Sequence, residues 1–373
     1  MDDPGRILVV RLSHLGDVVQ TVPLVHALAE RFPDAEIGFA VQREFAGVVR
    51  GLRAVSRVVE FDRRGGLRAW FDLRRELRAF RPDLAIDAQA NTKSAFVARA
   101  SGAPVRLAPA RAEWREPAAS RLANRFAPPL PPDRVHAQER VLRLAAHLCG
   151  DFDPRRDLDL TDDELDRGRA TLHGLAPTDA PVVVVQVGDE RDVRTPPRGT
   201  VRAIVRDLVD AGAQVVVTCG GDDVESARAV VQGAAERVAL RPGPEAPREL
   251  AAWFAACAER GGAFVSADTG PMHLAAAHGL ACVCLSGPFD HRRTGPWPSA
   301  DAVDSPHRVV RADPPPECSP CFARTCHLPG GRVCMERIAA DDAVAAALAV
   351  ASRGWNHGAH EAHEAPPPAA DHP

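Results

Sequence analysis

Several residue types and patterns are scarce in this 373-residue chain, and each absence narrows the possible functions. No apolar run approaches the roughly 20 residues that a transmembrane helix needs, so the sequence predicts no membrane span. The net charge of −4 argues against a general nucleic-acid-binding protein. Tyrosine is absent and Lys93 is the only lysine, in a composition rich in arginine, alanine and proline. An arginine at a given position is therefore weak evidence of function.

The cysteine content argues against a disulfide-built protein. The nine cysteines are an odd number, and the first apolar run is too short for a signal peptide. We therefore expect a cytoplasmic protein. Five of the cysteines are scattered and typical of buried apolar positions. The other four lie close together near the end of the chain.

The chain contains two arrays in which short β-branched runs alternate with segments of helical period. The first array starts with a strand at Ile7–Arg11 and the second with a strand at Val182–Val187. This pattern predicts an α/β protein with two doubly wound parallel-sheet domains, at residues 1–165 and 166–354. Residues 355–373 lack a core-forming pattern and are predicted to be disordered.

The first motif, RLSHLGDVVQTVP, follows the first predicted strand. A dinucleotide-binding turn would need glycines spaced G-x-G-x-x-G, and only Gly16 is present, which argues against an NAD-dependent oxidoreductase. We expect one continuous helix after the turn, with Pro23 near its start. Asp17 either caps this helix or lies at a cleft edge, where it takes a proton from a substrate hydroxyl.

The second motif, FVSADTGPMHLAAAHGL, is another strand-to-helix corner. Asp268 and Thr269 can cap the following helix, and Gly270 lets a ligand approach the backbone. The N–H groups and dipole of that helix also favour an anion such as a diphosphate. Both a capped corner and an anion pocket are consistent with these residues. His273 by itself is more typical of a structural histidine than of a catalyst.

The cysteine cluster has the spacing C-x2-C-x4-C-x7-C. Four thiolates so close in sequence predict a structural metal, with zinc as the default and iron as an alternative. Reduced or variably oxidised surface thiols are the other interpretation. In either case we assign the cluster to stability and not to catalysis. Its members are Cys318, Cys321, Cys326 and Cys334.

The two motifs together resemble the signature pair of the heptosyltransferases, glycosyltransferase family nine. Further segments are similar to the family in the same order, through most of residues 6–340. They are LAIDAQANTKSAFVARASGAPVRLA, LSGPFDHRRTGPW and CSPCFARTC. The best-known members of this family transfer heptose from ADP-heptose to the inner core of lipopolysaccharide.

The resemblance implies a GT-B architecture, in which two Rossmann-like domains face a central cleft. It implies an inverting, metal-independent transfer from an ADP-sugar to a hydroxyl of a glycan, with no catalytic cofactor. Asp17 would be the general base. The donor's sugar and diphosphate would contact Asp268, Thr269 and Gly270, with His273 as a neighbour. A helix N-terminus at this place would stabilise the charge of the leaving group.

The donor side departs from the family pattern at GDERDVRTPPRGT. The family usually has a lysine followed closely by tryptophan here. Arg194 can replace the lysine as the cation that meets the phosphates, whereas the tryptophan is absent. Three acidic residues, Asp189, Glu190 and Asp192, add unusual negative charge. Glu225 is expected at the donor ribose, with Asp222 as the competing choice.

On the acceptor side, the resemblance points to Ser13, Gly16 and Lys93. Residues 43–125 contain 18 basic and 9 acidic side chains, a local balance of +9. This charge either belongs to arginine-rich helix surfaces or attracts an anionic glycan or glycolipid acceptor. Such an acceptor would bring the protein into peripheral contact with the inner membrane surface. The alternative function is a non-catalytic or altered-donor GT-B relative acting on another glycan or a small glycosylated metabolite.

Overall fold

The computed structural model describes residues 3–131, 136–178, 180, 182–233, 237–243 and 246–351. The predicted disordered tail, residues 355–373, lies outside this described part. Within it, no helix is both long enough and apolar enough to cross a membrane.

Two parallel sheets of six strands organise the described residues. The strands of the first sheet are β1 (Arg6–Val10), β2 (Glu36–Gln42), β3 (Val55–Phe61), β4 (Leu84–Asp87), β5 (Val105–Ala108) and β6 (Arg125–Phe126). Those of the second are β7 (Val182–Val187), β8 (Gln214–Cys219), β9 (Val238–Pro242), β10 (Ala263–Ala267), β11 (Ala281–Leu285) and β12 (Arg308–Val310). The orders are β3-β2-β1-β4-β5-β6 and β9-β8-β7-β10-β11-β12, so the same winding occurs twice. This confirms the predicted pair of doubly wound sheets.

The helices cover both faces of each sheet. They are α1 (Leu15–Val19), α2 (Val22–Arg31), α3 (Ala46–Val49), α4 (Gly66–Phe80), α5 (Thr92–Ala100), α6 (Ala137–Cys149), α7 (Asp162–Leu175), α8 (Arg198–Asp210), α9 (Val224–Val231), α10 (Pro247–Glu259), α11 (Gly270–Ala277), α12 (His291–Thr294), α13 (Val333–Glu336) and α14 (Ala340–Ala351). Parallel strands buried on both faces explain the continuous valine, isoleucine and leucine runs of the sequence.

One apolar core extends from the first sheet into the second. It includes Val9 of β1, Leu28 of α2, Trp253 of α10 and Phe264 of β10, all fully buried. The outward face of each sheet has its own smaller core, under α4 and α5 in the first half and under α8, α9 and α14 in the second. The two halves are therefore joined by burial of shared apolar surface, which is the main favourable term in such association.

The helix predicted after the first motif is two helices, so that prediction was wrong. α1 ends at Val19, and α2 begins at Val22 with Pro23 as its second residue. Proline has no N–H, and its ring clashes with the carbonyl four residues earlier, which is that of Val19. The chain therefore breaks between these residues and restarts with proline in the first turn, where it is tolerated.

The segment that joins the two sheets carries one helix of each half. α6 packs on α2, whereas α7 packs on α10. The contact with α10 is close: a Cβ on Gly168 would lie 2.3 Å from the carbonyl oxygen of Ala252. The predicted domain division at residue 165 lies within α7 and stays a prediction.

Candidate active site

The loop after β1 positions Asp17. His14 has a φ of 68° and is the N-cap residue of α1, so Asp17 is the third residue of this helix and not its cap. The capping interpretation of Asp17 was therefore wrong. The left-handed turn at His14 lets the chain reverse sharply at the carboxyl end of the sheet, where parallel α/β proteins bind their ligands.

The carboxylate of Asp17 is held by two neighbours from its own loop. Its Oδ2 lies 2.8 Å from Nη2 of Arg11 and 3.6 Å from Nδ1 of His14. The side chain is 34% exposed, so it is accessible to a substrate. Burial alone would raise the pKa of Asp17. The charges and hydrogen bonds of Arg11 and His14 together have the larger effect and lower the pKa to about 2. In this state Asp17 is ionised and only weakly basic.

The end of β4 fixes this loop. Arg11 is buried and donates through Nη1 to the carbonyl oxygen of Ala88. The side chain of Gln89 accepts from the backbone N–H of Leu12 at 2.8 Å and donates to Oγ of Ser13 at 3.1 Å. Ser13, predicted on the acceptor side, thus has a defined place beside Asp17, set by a strand about 75 residues away in sequence.

Asp87, the last residue of β4, is a buried acid that the sequence did not single out. Its Oδ1 accepts from the N–H groups of Gln89 and Ala90, at 3.0 and 2.9 Å. Its Oδ2 is buried, and the side chain of Ser94 also acts on this carboxylate and lowers its pKa. Burial raises the pKa of Asp87 to about 6, although these hydrogen bonds and the charge of Arg11 oppose the change. Two acids of opposite pKa shift therefore flank Arg11.

The second motif forms a loop at the carboxyl end of β10. Thr269 is the N-cap residue of α11 by its backbone, yet its side chain makes no capping bond. Its hydroxyl donates instead to Oε1 of Gln186 on β7, at 2.8 Å. The interpretation of Thr269 as a simple side-chain cap was therefore wrong. The first turn of α11 has no side-chain cap, and a helix N-terminus in this state attracts anions.

Asp268 connects the loop to two cationic or polar groups. Its carbonyl oxygen accepts from Nη1 of Arg194 at 2.8 Å. Its carboxylate Oδ1 lies 3.5 Å from Nε2 of His273, and both side chains are largely buried. Two of the predicted donor residues thus contact Asp268 directly.

His273 also contacts the first domain. Nε2 of Gln20 donates to Nδ1 of His273 at 3.2 Å, since an amide nitrogen can only donate. The ring hydrogen of neutral His273 is therefore on Nε2, the atom that faces Asp268. The ring of His273 therefore connects the loop after β10, through Asp268, with the turn between α1 and α2, through Gln20.

Two glycines allow the loops of the two sheets to touch. A Cβ on Gly16 would lie 2.3 Å from Cδ2 of His273, and a Cβ on Gly270 would lie 2.7 Å from the Cβ of Leu15. Gly16, predicted to bind the acceptor, is thus placed at the contact between α1 and α11. The two motifs are packed against each other at this point.

The acidic loop after β7 is neutral by its own ion pairs. Asp189 pairs with Arg191 at 2.9 Å, Asp192 with Arg194 at 2.6 Å, and Glu190 with Arg198 at 2.6 Å. Each of these three acids is thus matched by an arginine that follows it within eight residues. Hydrogen bonding to Asp192 raises the pKa of Arg194. The loop is charge-balanced and presents Arg194 towards Asp268.

The cysteine-rich segment supports this loop. Arg332 donates through Nη1 to the carbonyl oxygens of Asp192 and Thr195, at 2.8 and 3.0 Å. On the other side, Ser319 Oγ donates to the carbonyl oxygen of Gly287 at 2.6 Å. The segment was expected to act only on stability, and it also braces the backbone around Arg194.

The four cysteines are neighbours but are not closed around one point. Burial raises the pKa of Cys334, and the nearby thiols of Cys321, Cys318 and Cys326 raise it further. Among the described residues, no three of these sulfurs lie within 4.8 Å of one another. Sulfurs on one tetrahedral zinc would be about 3.8 Å apart, given Zn–S bonds of about 2.3 Å. The donor set suits a metal, and the segment would have to contract to hold it.

In the described residues, the group of potential metal ligands that does lie within 4.8 Å consists of His26, Asp157 and Asp159. Arg53 and Arg155 already bind the carboxylate of Asp159, at 3.1 and 3.2 Å. Nε2 of His26 bonds to the carbonyl oxygen of Asp157 at 3.0 Å. This group is an ion-pair network that fastens the joining segment to the first domain.

A family model for glycosyltransferase family 9 (heptosyltransferase) matches residues 70–330. The chain belongs to this family. It is therefore a glycosyltransferase. Lipopolysaccharide heptosyltransferase 1 of Pseudomonas aeruginosa strain PAO1 is 30% identical over 332 residues, which are 86% of this chain and 87% of the relative.

Two solved structures of the Escherichia coli heptosyltransferase WaaC are similar to most of this chain. The complex with ADP has a TM-score of 0.66 and 26% identity, over 90% of this chain and 97% of that one. The complex with ADP-2-deoxy-2-fluoro heptose has a TM-score of 0.63 and 27% identity, over 82% and 93%. Together with the twice-repeated sheet order, these similarities confirm the predicted GT-B fold.

Two predicted residues of this family 9 glycosyltransferase lie away from the contact of the two motifs. Glu225 is the second residue of α9, is 85% exposed and pairs with Arg228 at 2.9 Å. Asp222, the competing choice, is in the preceding turn. Lys93 is exposed on the first turn of α5. Their roles at donor and acceptor stay predictions.

Sequence reasoning missed several residues that shape the site, namely Arg11, Gln20, Asp87, Gln89, Gln186 and Arg332. A signal was present for three of them. Arg11 ends the predicted strand Ile7–Arg11, and Asp87 and Gln89 lie at and just after the end of β4. Side chains at such strand ends reach the ligand edge of a parallel sheet. The others act through contacts that span more than 80 residues.

Proposed function

We propose that this family 9 glycosyltransferase is an inverting, metal-independent enzyme that moves heptose from an ADP-sugar to a hydroxyl of the lipopolysaccharide inner core. The relatives' names supply the sugar and the glycan, and the complexes with ADP and with an ADP-heptose analogue supply the donor. The observation that carries the proposal is the contact of the two motifs through Gly16 and His273. We place the reaction on the cytoplasmic side of the membrane, as the sequence predicts.

Asp17 is the proposed general base. Its carboxylate takes the proton of the acceptor hydroxyl, and the oxygen attacks the anomeric carbon of the donor sugar. The bond from that carbon to the diphosphate breaks on the opposite face, so the configuration inverts and ADP leaves. A pKa of about 2 makes Asp17 a weak base while Arg11 pairs with it. An anionic acceptor that binds next to Asp17 would raise this pKa, because a second negative charge disfavours ionisation of the carboxyl group.

The donor is proposed to bind at Asp268, Thr269 and Gly270. The first turn of α11 directs its dipole at the diphosphate, and Arg194 lies within hydrogen-bond distance of the Asp268 backbone. Arg194 can exchange its pair with Asp192 for the phosphates. Because these groups are fixed before the reaction, they stabilise the charge that develops on the leaving ADP. This set supplies the positive potential that a metal ion supplies in other transferases.

Binding and transfer assays with nucleotide sugars test this function. We expect ADP and ADP-heptose to raise the melting temperature, and other nucleotide sugars to do so less. Asp17→Ala should keep this effect of the donor and lose at least about 100-fold in transfer to lipopolysaccharide core acceptor. Asp34→Ala, at an exposed position of the same domain, is the matched control and should remain active.

The proposal fails if none of these nucleotides stabilises the protein. Full transfer by Asp17→Ala would show that another group is the base. A product that retains the donor's configuration, detected by nuclear magnetic resonance, would exclude the inverting mechanism.

We also propose that the four clustered cysteines hold a structural zinc or iron ion. The thiolate set supports it, and the ion would fix the segment whose Arg332 braces the Arg194 loop. Elemental analysis of the purified protein should give one metal per chain, and Cys318→Ser with Cys321→Ser should remove it and lower the melting temperature. Cys149→Ser, outside the cluster, should keep the metal. Metal-free wild type with unchanged stability after chelation would overturn this proposal.

A further inference from the structure

The outward face of α4 exposes large apolar side chains. Leu67 is 79% exposed and Phe71 is 63% exposed, and their spacing of four residues puts them on one side of the helix. Phe96 on the neighbouring α5 is 50% exposed. These three are half of the six large apolar residues that are exposed in the described part of the chain. We call Leu67, Phe71 and Phe96 the apolar patch.

The two helices of the patch are fixed to each other and to the sheet. Nε of Arg78 on α4 donates to the carbonyl oxygen of Ala100 at the end of α5, at 3.0 Å. The opposite face of α4 is anchored by Leu73, Leu77 and Phe80, which are buried in the outward core of the first sheet. The residues that α4 buries against the sheet are therefore different from the ones it exposes.

The remainder of this outward face is basic. Arg68, Arg74, Arg75 and Arg78 of α4 are exposed, and the helix contains only two acids, Asp72 and Glu76. Arg75 pairs with Asp72, whereas Arg68 and Arg74 form no ion pair among the described residues. The surrounding residues 43–125 carry the local balance of +9. Apolar side chains beside unpaired arginines favour binding to an anionic lipid surface. The apolar groups insert at the boundary of the acyl chains, and the arginines pair with the anionic headgroups.

The patch lies towards the edge of the sheet that carries the site. α4 starts shortly after the carboxyl end of β3, and α5 starts shortly after that of β4. Leu67 and Phe96 are in the first two turns of these helices, at the edge where Arg11 and Asp17 also lie. A bilayer that contacts the patch would therefore face the side of the first domain from which a lipid-linked acceptor approaches.

We infer that the apolar patch and the arginines of α4 form the surface by which this protein docks on an anionic bilayer. The biological role of this docking rests on the proposed function, because it assumes an acceptor in the membrane. The lipid binding itself does not, since it is measured without any donor or acceptor. Docking keeps the enzyme at the plane that contains its acceptor, so the search for substrate takes place on a surface.

Vesicle binding tests the surface. The wild-type protein should bind vesicles of phosphatidylethanolamine with phosphatidylglycerol and not vesicles of phosphatidylcholine. Leu67→Ser combined with Phe71→Ser should reduce binding at least about tenfold. Arg68→Gln combined with Arg74→Gln should weaken binding and reduce its dependence on salt. Val303→Ser is the matched control, because Val303 is 99% exposed and follows β11 in the other domain.

Kinetics separate docking from catalysis. The Leu67→Ser/Phe71→Ser variant should transfer sugar normally to a deacylated, soluble acceptor and poorly to acylated acceptor in vesicles. Failure of the wild type on both acceptors would contradict the proposed function and leave the vesicle result standing. Wild type that does not bind anionic vesicles, or a variant that binds them as well as wild type, overturns the inference. So does a wild-type dimer in sedimentation that the variant abolishes, since the patch would then cover a second copy.

Discussion

The guanidinium of Arg11 lies 2.8 Å from the carboxylate of Asp17, and the same guanidinium donates to the carbonyl oxygen of Ala88. This pair sets the charge state of the proposed base. Arg11 is buried at the end of β1, so it cannot turn to solvent as a surface arginine would. Arg11, together with His14, therefore lowers the pKa of Asp17 against the effect of burial.

Arg11→Gln should move the acidic limb of the pH profile of kcat/KM to higher pH. Asp17 must be ionised to act, so activity is lost as the pH falls through its pKa, which is about 2 in the native pair. Without the arginine, burial is no longer opposed by its charge, and the limb should shift upward by about 1 to 2 pH units. The profile should be measured with soluble acceptor. Arg99→Gln, at an exposed position of α5, should leave the limb unchanged.

An unshifted limb in Arg11→Gln, with activity otherwise retained, would mean that the limb does not report Asp17.

Asp87→Asn should stabilise the fold at neutral pH. The folded pKa of Asp87 is about 6 against an ordinary 3.8, so the folded state binds the proton more tightly than the unfolded state. Stability is therefore lost as the pH rises between these values, by up to about 3 kcal/mol. Asparagine does not titrate, so the stability of the variant relative to wild type should increase as the pH rises through this window and stay at the higher value above it.

Urea unfolding at several pH values measures this difference for Asp87→Asn. Asp34→Asn, at an exposed position, should follow wild type throughout. A gain for Asp87→Asn that does not vary with pH would show that the buried charge is not its cause.

Gly16→Ala should impair the contact between α1 and α11. The new methyl group would lie 2.3 Å from Cδ2 of His273, so the ring must move away from Gln20 or Asp268. We expect a loss of about 1 to 3 kcal/mol in the free energy of unfolding. We also expect at least about a tenfold loss in kcat, because the site residues shift.

Gly174→Ala is the matched control for this change. Gly174 is in α7, and a Cβ there would meet nothing within 4 Å. Alanine should be neutral or stabilise the helix by up to about 1 kcal/mol, with full activity. Normal kcat in Gly16→Ala would contradict the tight contact of the two motifs.

Arg332→Ala should weaken donor binding more than turnover. It removes two hydrogen bonds to the backbone of Asp192 and Thr195, each worth about 1 kcal/mol. The Kd of ADP by calorimetry should rise roughly tenfold, with kcat at saturating donor less affected. Arg337→Ala removes an exposed arginine from the same segment and should bind ADP as wild type does. Equal affinities for both variants would remove Arg332 from the donor side.

The sequence predicted the two sheets and the position of the site because both depend on local patterns. The run at Val182–Val187 and the short apolar run before Asp268 are typical of buried strands, and residues that follow such strands reach the ligand edge. Asp17 and Asp268 were found in this way. Four strands of two to five residues, β5, β6, β9 and β12, were missed, because runs this short show little period.

The partners of the site residues could not be predicted, because they come from distant parts of the chain. Thr269 was expected to cap its own helix, yet its hydroxyl donates to Gln186, 83 residues earlier. Arg332 reaches Asp192 across 140 residues. Sequence patterns relate a side chain only to residues near it in sequence, whereas in the folded chain its hydrogen-bond partners come from distant segments.

The contact of Gly16 with His273, and of Gly270 with Leu15, also bears on engineering. Each domain supplies the surface against which the other domain's motif is shaped, so neither motif is a self-contained cassette. In a chimera that takes its donor half from a relative with a different sugar nucleotide, the residues at this contact between the two domains would not fit each other. Exchanging residues 15 and 16 together with the donor half should restore the fit between the domains. A substitution selected in one half therefore constrains the residues that the other half can carry at this contact.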